Sequence, residues 1–502
     1  MEDGDGGVDP VDERQLLVEE HELGVDLAGE PHRGAAVARL GDDVVPAGAG
    51  EEAHDPLAIG QPRSGDEGAQ RAWTDDLVEH RGQPTPESAT PVDVARTQRA
   101  STASIPAQCS SRLSTGRPLP SRMPWAVKDF GVGPTAAGPV DFRSVDVGLS
   151  VIFQGSVGRP DREVYGADLA LAHQAEDLGF DSIWGVEHHF TDYTMCPDVL
   201  QFLAYMAGRT SRLRLGSMVV VLPWHDPMRV AEQIAMLDNL SGGRVILGLG
   251  RGLGRVEFEG FRVPMEESRE RFVETAQVVL RGLEEGVIEH EGRHVRQPRR
   301  ELRPAPFASF RGRTYAAAVS PESSRIMAEL GIGILIIPQK PWEDVVTELD
   351  AYRTVFREVN GVEAPPPVGV AWVFCDRDPA RAEELGHRYI GGYYHSVLRH
   401  YEIAAGHFAG TRGYEYYGRL TRSLERHGTD DSVRFFTDLQ VYGTPQQCLD
   451  RIHDIRGLIG NEHVVAVCSY AGMPPEEAER NLHLFASDVM PALKAVPAAA
   501  RR

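Results

Sequence analysis

The stretch GVEHHFTDY (185–193) sets a glutamate and two histidines side by side, directly after the short apolar run DSIW. An imidazole exchanges protons near neutral pH. Such a pair therefore suits acid–base work at a cofactor, ligation of a metal, or a plain polar cap on a strand end. Adjacent residues on an extended segment point to opposite sides, so His188 and His189 are poorly placed to share one ion. The acid–histidine pairs at helical spacing, Glu384 with His387 and Asp450 with His453, fall on expected outer helices and read as solvated faces. No metal is expected.

Two further stretches offer a different chemistry. In GLGRGLG (248–254) the glycines let backbone come close to a ligand, and Arg251 supplies a planar cationic fork suited to phosphate. VSPESSR (319–325) sets Ser320 and Ser323 around an expected helix start, where free N–H groups and the helix dipole favour an anion; plain N-capping accounts for the same residues. Brought to one mouth, an arginine and a serine-rich helix start suggest a phosphate-bearing cofactor.

Elements able to position these groups begin at Val145, where short apolar runs start to alternate with amphipathic stretches. The expected strands are VDVGLSVIF (145–153), DSIWGV (181–186), LRLGSMVVVLP (213–223), RVILGLG (244–250), RTYAAAV (313–319), IGILIIP (332–338), PVGVAWVFC (367–375) and HVVAVCSY (463–470). Helices are expected between them. DLALAHQAEDLG (168–179) ends on Gly179, PDVLQFLAYMAGRT has Pro197 in its first turn, and GTPQQCLDRI carries a Thr444/Gln447 capping box. Runs such as MVVVL and ILII are apolar on both faces, as in a parallel sheet covered by helices. Eight such units predict a (β/α)8 TIM barrel, whose functional groups lie at the C-terminal strand ends. An open doubly wound sheet is the alternative, weakened because no Gly-x-Gly-x-x-Gly follows the first strand.

Residues 1–143 differ in character, with stretches such as GDDVVPAGAGEEAHDP and few aromatics. They read as a low-complexity, disordered leader, or as a wrongly assigned start with the natural chain beginning at Met123 or beyond; residues 144–497 form the expected barrel domain. A net charge of -22 leaves no basic stripe for nucleic acid. No apolar run reaches the roughly 18 residues of a membrane span, and the acidic N-terminus has no signal pattern, so the sequence reads as cytoplasmic. The five cysteines (109, 196, 375, 448 and 468) never form Cys-x-x-Cys and read as reduced thiols, with Cys196 a small buried residue.

The stretches VEHHFTDY (186–193), LGSMVVVLPWHDPMRVAEQIAMLDNLSGGRVILGLGRGL (215–253), VYGTPQQCLDRI (441–452) and LFASDVMPALK (484–494) resemble the bacterial luciferase-like flavin-dependent monooxygenases, in order across most of 145–495. The resemblance implies a (β/α)8 barrel with a lid insertion before the last strand. It implies an enzyme acting on paired donors, with reduced FMN from a separate reductase, molecular oxygen, a flavin C4a-hydroperoxide and a small organic substrate. His188 matches the family's catalytic histidine, with Glu187 and His189 as supporting neighbours. Arg251, Ser320 and Ser323 match the phosphate-binding groups, and Met218–Val219 the place of a non-proline cis bond under the flavin ring. Residues 410–440 resemble the mobile lid, whose Tyr414, Tyr416 and Tyr417 are candidates for the pocket wall or for packing. A dimer is implied, and helix 228–240 is apolar enough for an interface or for packing on the barrel. The chain departs from the luciferase pattern at Gly250 (a cysteine there), Val319 (an acid) and Pro338 (an aromatic). These departures leave flavin binding in place but set light emission and a long-chain aldehyde apart from what the resemblance carries over. The alternatives are a deazaflavin-dependent hydride-transfer oxidoreductase on the same barrel, or a non-catalytic flavin-binding subunit.

Overall fold

A computed structural model describes residues 145–156, 158–317 and 321–495. The expected leader, Cys109, Val319 and Ser320 lie outside these residues. The strands are β1 (Asp146–Val151), β2 (Ser182–Gly185), β3 (Arg214–Ser217), β4 (Val220–Val221), β5 (Val245–Gly250), β6 (Val287–Glu291), β7 (Arg296–Glu301), β8 (Thr314–Ala317), β9 (Gly333–Ile336), β10 (Val368–Cys375), β11 (Val441–Gly443) and β12 (His463–Val467). The helices are α1 (Asp161–Gln174), α2 (Val199–Arg209), α3 (Pro227–Ser241), α4 (Arg255–Phe261), α5 (Ser268–Glu285), α6 (Pro321–Leu330), α7 (Trp342–Asn360), α8 (Pro379–His400), α9 (Glu415–His427), α10 (Thr429–Leu439), α11 (Pro445–Ile459), α12 (Pro475–Leu484) and α13 (Met490–Ala495).

Among the described residues, eight parallel strands close on themselves in the order β1, β2, β3, β5, β8, β9, β10, β12 and back to β1. This is the (β/α)8 barrel. Strand β4 runs beside the end of β5, and β11 lies on the edge of β10. The insertion carrying α9 and α10 precedes β11 and β12, where a lid was expected.

Several boundaries move for physical reasons. Helix α1 opens at Asp161, before the expected 168, because Pro160 sets an extended entry and Asp161 and Glu163 suit the positive end of the helix. Pro197 lies ahead of helix α2 instead of in its first turn; Asp198 is the cap and accepts the N–H of Gln201. The third expected strand breaks into β3 and β4 around a cis Met218–Val219 peptide bond. The antiparallel β6–β7 hairpin was not anticipated, since its charged, half-exposed strands carry little apolar alternation. The Thr444/Gln447 capping box forms at the start of α11.

Trp184 on β2 fills the barrel interior. A Cβ on Gly148 of β1 would lie 2.6 Å from its indole Nε1, and one on Gly216 of β3 would lie 2.2 Å from its ring. Glycine on both flanking strands thus makes room for one large ring, the large-beside-small packing of a close-packed core. The indole N–H donates to Ser182 Oγ at 3.0 Å, and that hydroxyl donates to Asp146 at 2.9 Å, so the buried polar tip is satisfied. Asp146 is in turn ion-paired with Arg214. Replacing Trp184 by Ala opens a cavity the two glycines cannot fill. A loss of roughly 3–5 kcal/mol is expected, read as a lowered melting temperature by calorimetry. A variant melting with the wild type would refute this account of the core.

Candidate active site

After β2 the chain turns back over the barrel mouth. The N–H of His188 donates to Cys196 O at 3.2 Å, and the N–H of Met195 donates to Phe153 O at 2.9 Å. Within this loop the side chains diverge as strand alternation requires. Glu187 and His189 point one way and His188 the other.

Glu187 is buried and ties three segments together. Its carboxylate accepts the N–H of Val221 (3.1 Å), Nε2 of His225 (2.7 Å) and, more loosely, Nε2 of His189 (3.4 Å). Burial pushes its carboxyl upward, but the hydrogen bonds from His189 and His225 and the charge of His225 outweigh it, leaving the group below the usual range. Glu187 therefore anchors β4, just past the cis bond. On the other side Ser217 clasps β5: its Oγ lies 2.9 Å from Gly248 O and accepts the N–H of Gly248 at 2.8 Å.

His188 meets partners from distant parts of the chain. Its Nδ1 lies 3.0 Å from Glu257 Oε1 on α4, and its Nε2 lies 3.4 Å from the Tyr401 hydroxyl, just past α8. Glu257 is fully buried, and the same Oε1 accepts the backbone N–H of His189 at 2.9 Å. His400, the last residue of α8, brings Nε2 to 3.6 Å from that oxygen. Burial drives the Glu257 carboxyl up, yet the charges and hydrogen bonds of His188 and His400 together bring it down to about 2. Nδ1 of His188, the Glu257 carboxylate and Nε2 of His400 all lie within 4.8 Å of one another. Among the described residues, the other carboxylate oxygen, Glu257 Oε2, and His400 Nε2 are buried with no hydrogen-bond partner.

Arg251, expected from the sequence to meet a phosphate, stands among further polar groups. Arg251 follows β5, donates from Nη1 to Gly413 O at 2.8 Å, and stacks 4.1 Å over the Tyr414 ring. Arg269, the second residue of α5, reaches the same carbonyl at 3.4 Å and pairs with Glu322 at 2.8 Å. Its Nε is buried with no hydrogen-bond partner. Ser323 is half-buried beside Glu322 in the first turn of α6. Tyr414 places its hydroxyl 3.0 Å from Gly252 O and 2.9 Å from Ser268 Oγ, while Tyr416 donates to Gln339 O at 3.1 Å. Tyr417 is buried in a small cluster within the insertion, with Ile403, Phe408, Tyr414 and Leu424.

Glu257, His400 and Arg269 were missed from the sequence. Glu257 carried one usable signal, a carboxylate in the first turn after a glycine-rich strand end. Cys196 is buried, and burial and the nearby carboxylates of Glu187 and Asp198 push its thiol up to about 12, as for an inert residue. The other described cysteines, Cys375, Cys448 and Cys468, are also free and buried.

A family model described as luciferase-like monooxygenase matches residues 145–462. The chain is 27% identical over 329 residues to the alkanal monooxygenase alpha chain of Photorhabdus luminescens, covering 64% of this chain and 91% of that one. It is 28% identical over 349 residues to the alkanal monooxygenase alpha chain of Photobacterium leiognathi, covering 67% and 96%. Among solved structures, monooxygenase RslO1 from Streptomyces bottropensis superposes with a TM-score of 0.59 at 27% identity over 69% of this chain and 99% of that one. The oxygenating constituent of 3,6-diketocamphane monooxygenase from Pseudomonas putida, in complex with FMN, shares the fold with a TM-score of 0.57 at 20% identity, covering 70% and 100%.

The depressed Glu257 carboxyl has a signed consequence. Its contribution to stability is present above the ordinary glutamate value of 4.5 and is lost as pH falls toward about 2. That contribution is on the order of 3 kcal/mol. Glu257→Gln should lower the melting temperature at pH 7, and the gap to wild type should narrow between about pH 5 and pH 3. A gap that is constant with pH would show that the carboxylate charge is not what stabilises this site.

Proposed function

Because the chain belongs to the luciferase-like monooxygenase family, we propose that it uses reduced FMN and molecular oxygen to oxidise a small organic substrate. The observation that carries this reading is one mouth holding both an anion site, Arg251 with Arg269, and a carboxylate-backed imidazole, His188. The functional unit is residues 144–497.

The residues present suit FMN. Two guanidinium groups converge on one carbonyl, and a buried Arg269 Nε has no partner, as a site awaiting an anion would provide. Arg251, Arg269 and Ser323, with Ser320 just before the helix, would hold the phosphate, and Met218–Val219 would lie under the ring. Bound there, reduced FMN supplies the electrons that activate oxygen, one atom entering the substrate and the other leaving as water.

The chain's own side chains do the rest. A carboxylate only accepts, so His188 donates Nδ1–H to Glu257, which leaves the lone pair of Nε2 beside the Tyr401 hydroxyl, where it takes and returns a proton. Glu187 fixes the backbone past the cis bond, and His189 supports Glu187. The insertion, seated on Arg251 through Gly413 and Tyr414, excludes water. Reduced flavin arrives from a separate reductase, since no nicotinamide fingerprint follows the first strand. Among the described residues no helix is long and apolar enough to cross a membrane, and we read the enzyme as cytoplasmic. We also read it as a dimer: Met236 and Leu240, one turn apart on α3, are 55% and 59% exposed, and Phe307, 55% exposed, packs against Gly243 just past the helix end.

Mixing the protein, preloaded with reduced FMN, against oxygenated buffer tests the activity. The expected trace is flavin oxidation slower than that of free reduced FMN, with a distinct transient spectrum. Reoxidation at the free-flavin rate, or preferential binding of a deazaflavin, would move the assignment to hydride transfer. Arg251→Ala should weaken FMN binding roughly 10- to 100-fold and leave riboflavin, which lacks the phosphate, unchanged by fluorescence titration. An equal loss for both would remove Arg251 from the phosphate site. Replacing Met236 and Leu240 together by Glu should give monomers by light scattering, and unchanged dimers would place the interface elsewhere.

A further inference from the structure

Three elements converge on Glu257: the loop after β2 with His188, helix α4 with Glu257 itself, and the end of α8 with His400. The side chains of Glu257 and His400 are 0% and 1% exposed, so the carboxylate charge acts on His400 with little screening by water. Thr191 Oγ1 accepts the N–H of Tyr193 at 3.3 Å and lies 2.8 Å from His400 Nδ1, a contact in which either atom can donate. The charge of the Glu257 carboxylate, 3.6 Å from Nε2, favours the His400 proton on Nε2, with Nδ1 then accepting from Thr191. The ring of His400 stacks on Tyr193 at 4.6 Å and meets His188 edge-on at 5.2 Å. Two imidazoles and a backbone N–H thus share one carboxylate.

Other charged or titratable groups face the trio from the elements around it. Asp192 and Tyr193 come from the loop after β2, Tyr393 from α8, and Tyr401 and Glu402 from the chain just past it. Glu402 is engaged by Arg255 of α4 through two contacts of 2.9 and 2.8 Å. That pair staples α4 to the start of the insertion, two residues from Glu257 on one side and from His400 on the other.

We propose that His400 is a positioning residue of the reaction: acting through Glu257, it moderates the carboxylate that holds His188 in the Nδ1–H tautomer, so that Nε2 releases the proton it accepts. Without His400, Glu257 would give its whole charge to His188 and hold the imidazolium form. With His400 present, two donors divide that charge and a second imidazole stands close by. The step is a proton transfer at Nε2 alone, with no change in oxidation state. It rests on the reading of His188 as the reacting imidazole.

The test is side-chain nitrogen NMR of the flavin-free protein, with the His188 signals assigned by their loss in His188→Ala. Wild-type His188 should show Nδ1–H with an accepting Nε2. In His400→Phe, which keeps the stack on Tyr193, the midpoint at which these signals move should rise by about one pH unit. His400→Gln, which can still donate to Glu257, should restore much of the wild-type midpoint. Thr191→Val, which removes the O–H held to Nδ1, gives a second route if His400→Phe fails to fold, and it should shift the midpoint in the same direction. Unchanged His188 signals in folded His400→Phe and Thr191→Val would overturn the proposal, leaving His400 a packing residue. Displacement of both histidine signals by micromolar zinc would also overturn it, marking the trio as a cation site. FMN binding is measured on the same samples. Loss of FMN binding in wild type would defeat the functional reading while leaving the NMR result intact, so the two failures are separable.

Discussion

A carboxylate removed from water needs donors, and among the described residues no lysine or arginine is hydrogen-bonded or ion-paired to either of the two buried glutamates of this mouth. Glu187 and Glu257 are met by imidazoles and backbone N–H groups. That requirement fixes the geometry of the site. Each glutamate immobilises the histidines that satisfy it, and each also seizes a backbone N–H of a neighbouring segment, Val221 for Glu187 and His189 for Glu257. The imidazoles are therefore held by the same contacts that hold the loops, and orientation of the reactive groups is part of folding the mouth.

Much of this was written locally. Strand cores, the capping box at Thr444 and the alternation that sends His188 and His189 apart depend on neighbours within a few residues, and a sequence displays those directly. Partners drawn from afar are different. In RVEFEG, Glu257 and Glu259 look alike, yet one side chain is fully buried and the other is 65% exposed. Only the arrival of the loop after β2 and the end of α8 distinguishes them. His400 closes a helix as an ordinary C-terminal cation would, and Arg269 sits in the charged first turn of α5, so neither carries a local mark of its role. The assignment of Ser320 falls outside the described residues, whereas its companion Ser323 stands beside Glu322, the acid that engages Arg269.

The insertion before β11 has a small core of its own, built on Phe408, Tyr414 and Tyr417, and meets the barrel both by apolar packing, with Phe436 stacked on Tyr394 of α8 at 4.4 Å, and by polar contacts from Gly413, Tyr414 and Tyr416. Its attachment at Arg251 grips the group proposed above for a cofactor phosphate. The attachment at Arg255–Glu402 ties its first turn to the helix bearing Glu257. One segment thereby touches both Arg251 and the helix on which His188 rests.

The pairing of Gly250 with Val219 carries a further consequence. A Cβ at position 250 would lie 2.1 Å from Val219 Cγ2, across the cis bond's far side. The two positions share a fixed volume, so a side chain can grow at one only after the other has shrunk. A lineage drifting toward the cysteine of the luciferases would meet less strain by shortening position 219 first, since in the reverse order the Val219 side chain must be displaced. The order of historical steps is thus constrained by a steric contact, and a reconstructed ancestor with cysteine at 250 should carry a small residue at 219.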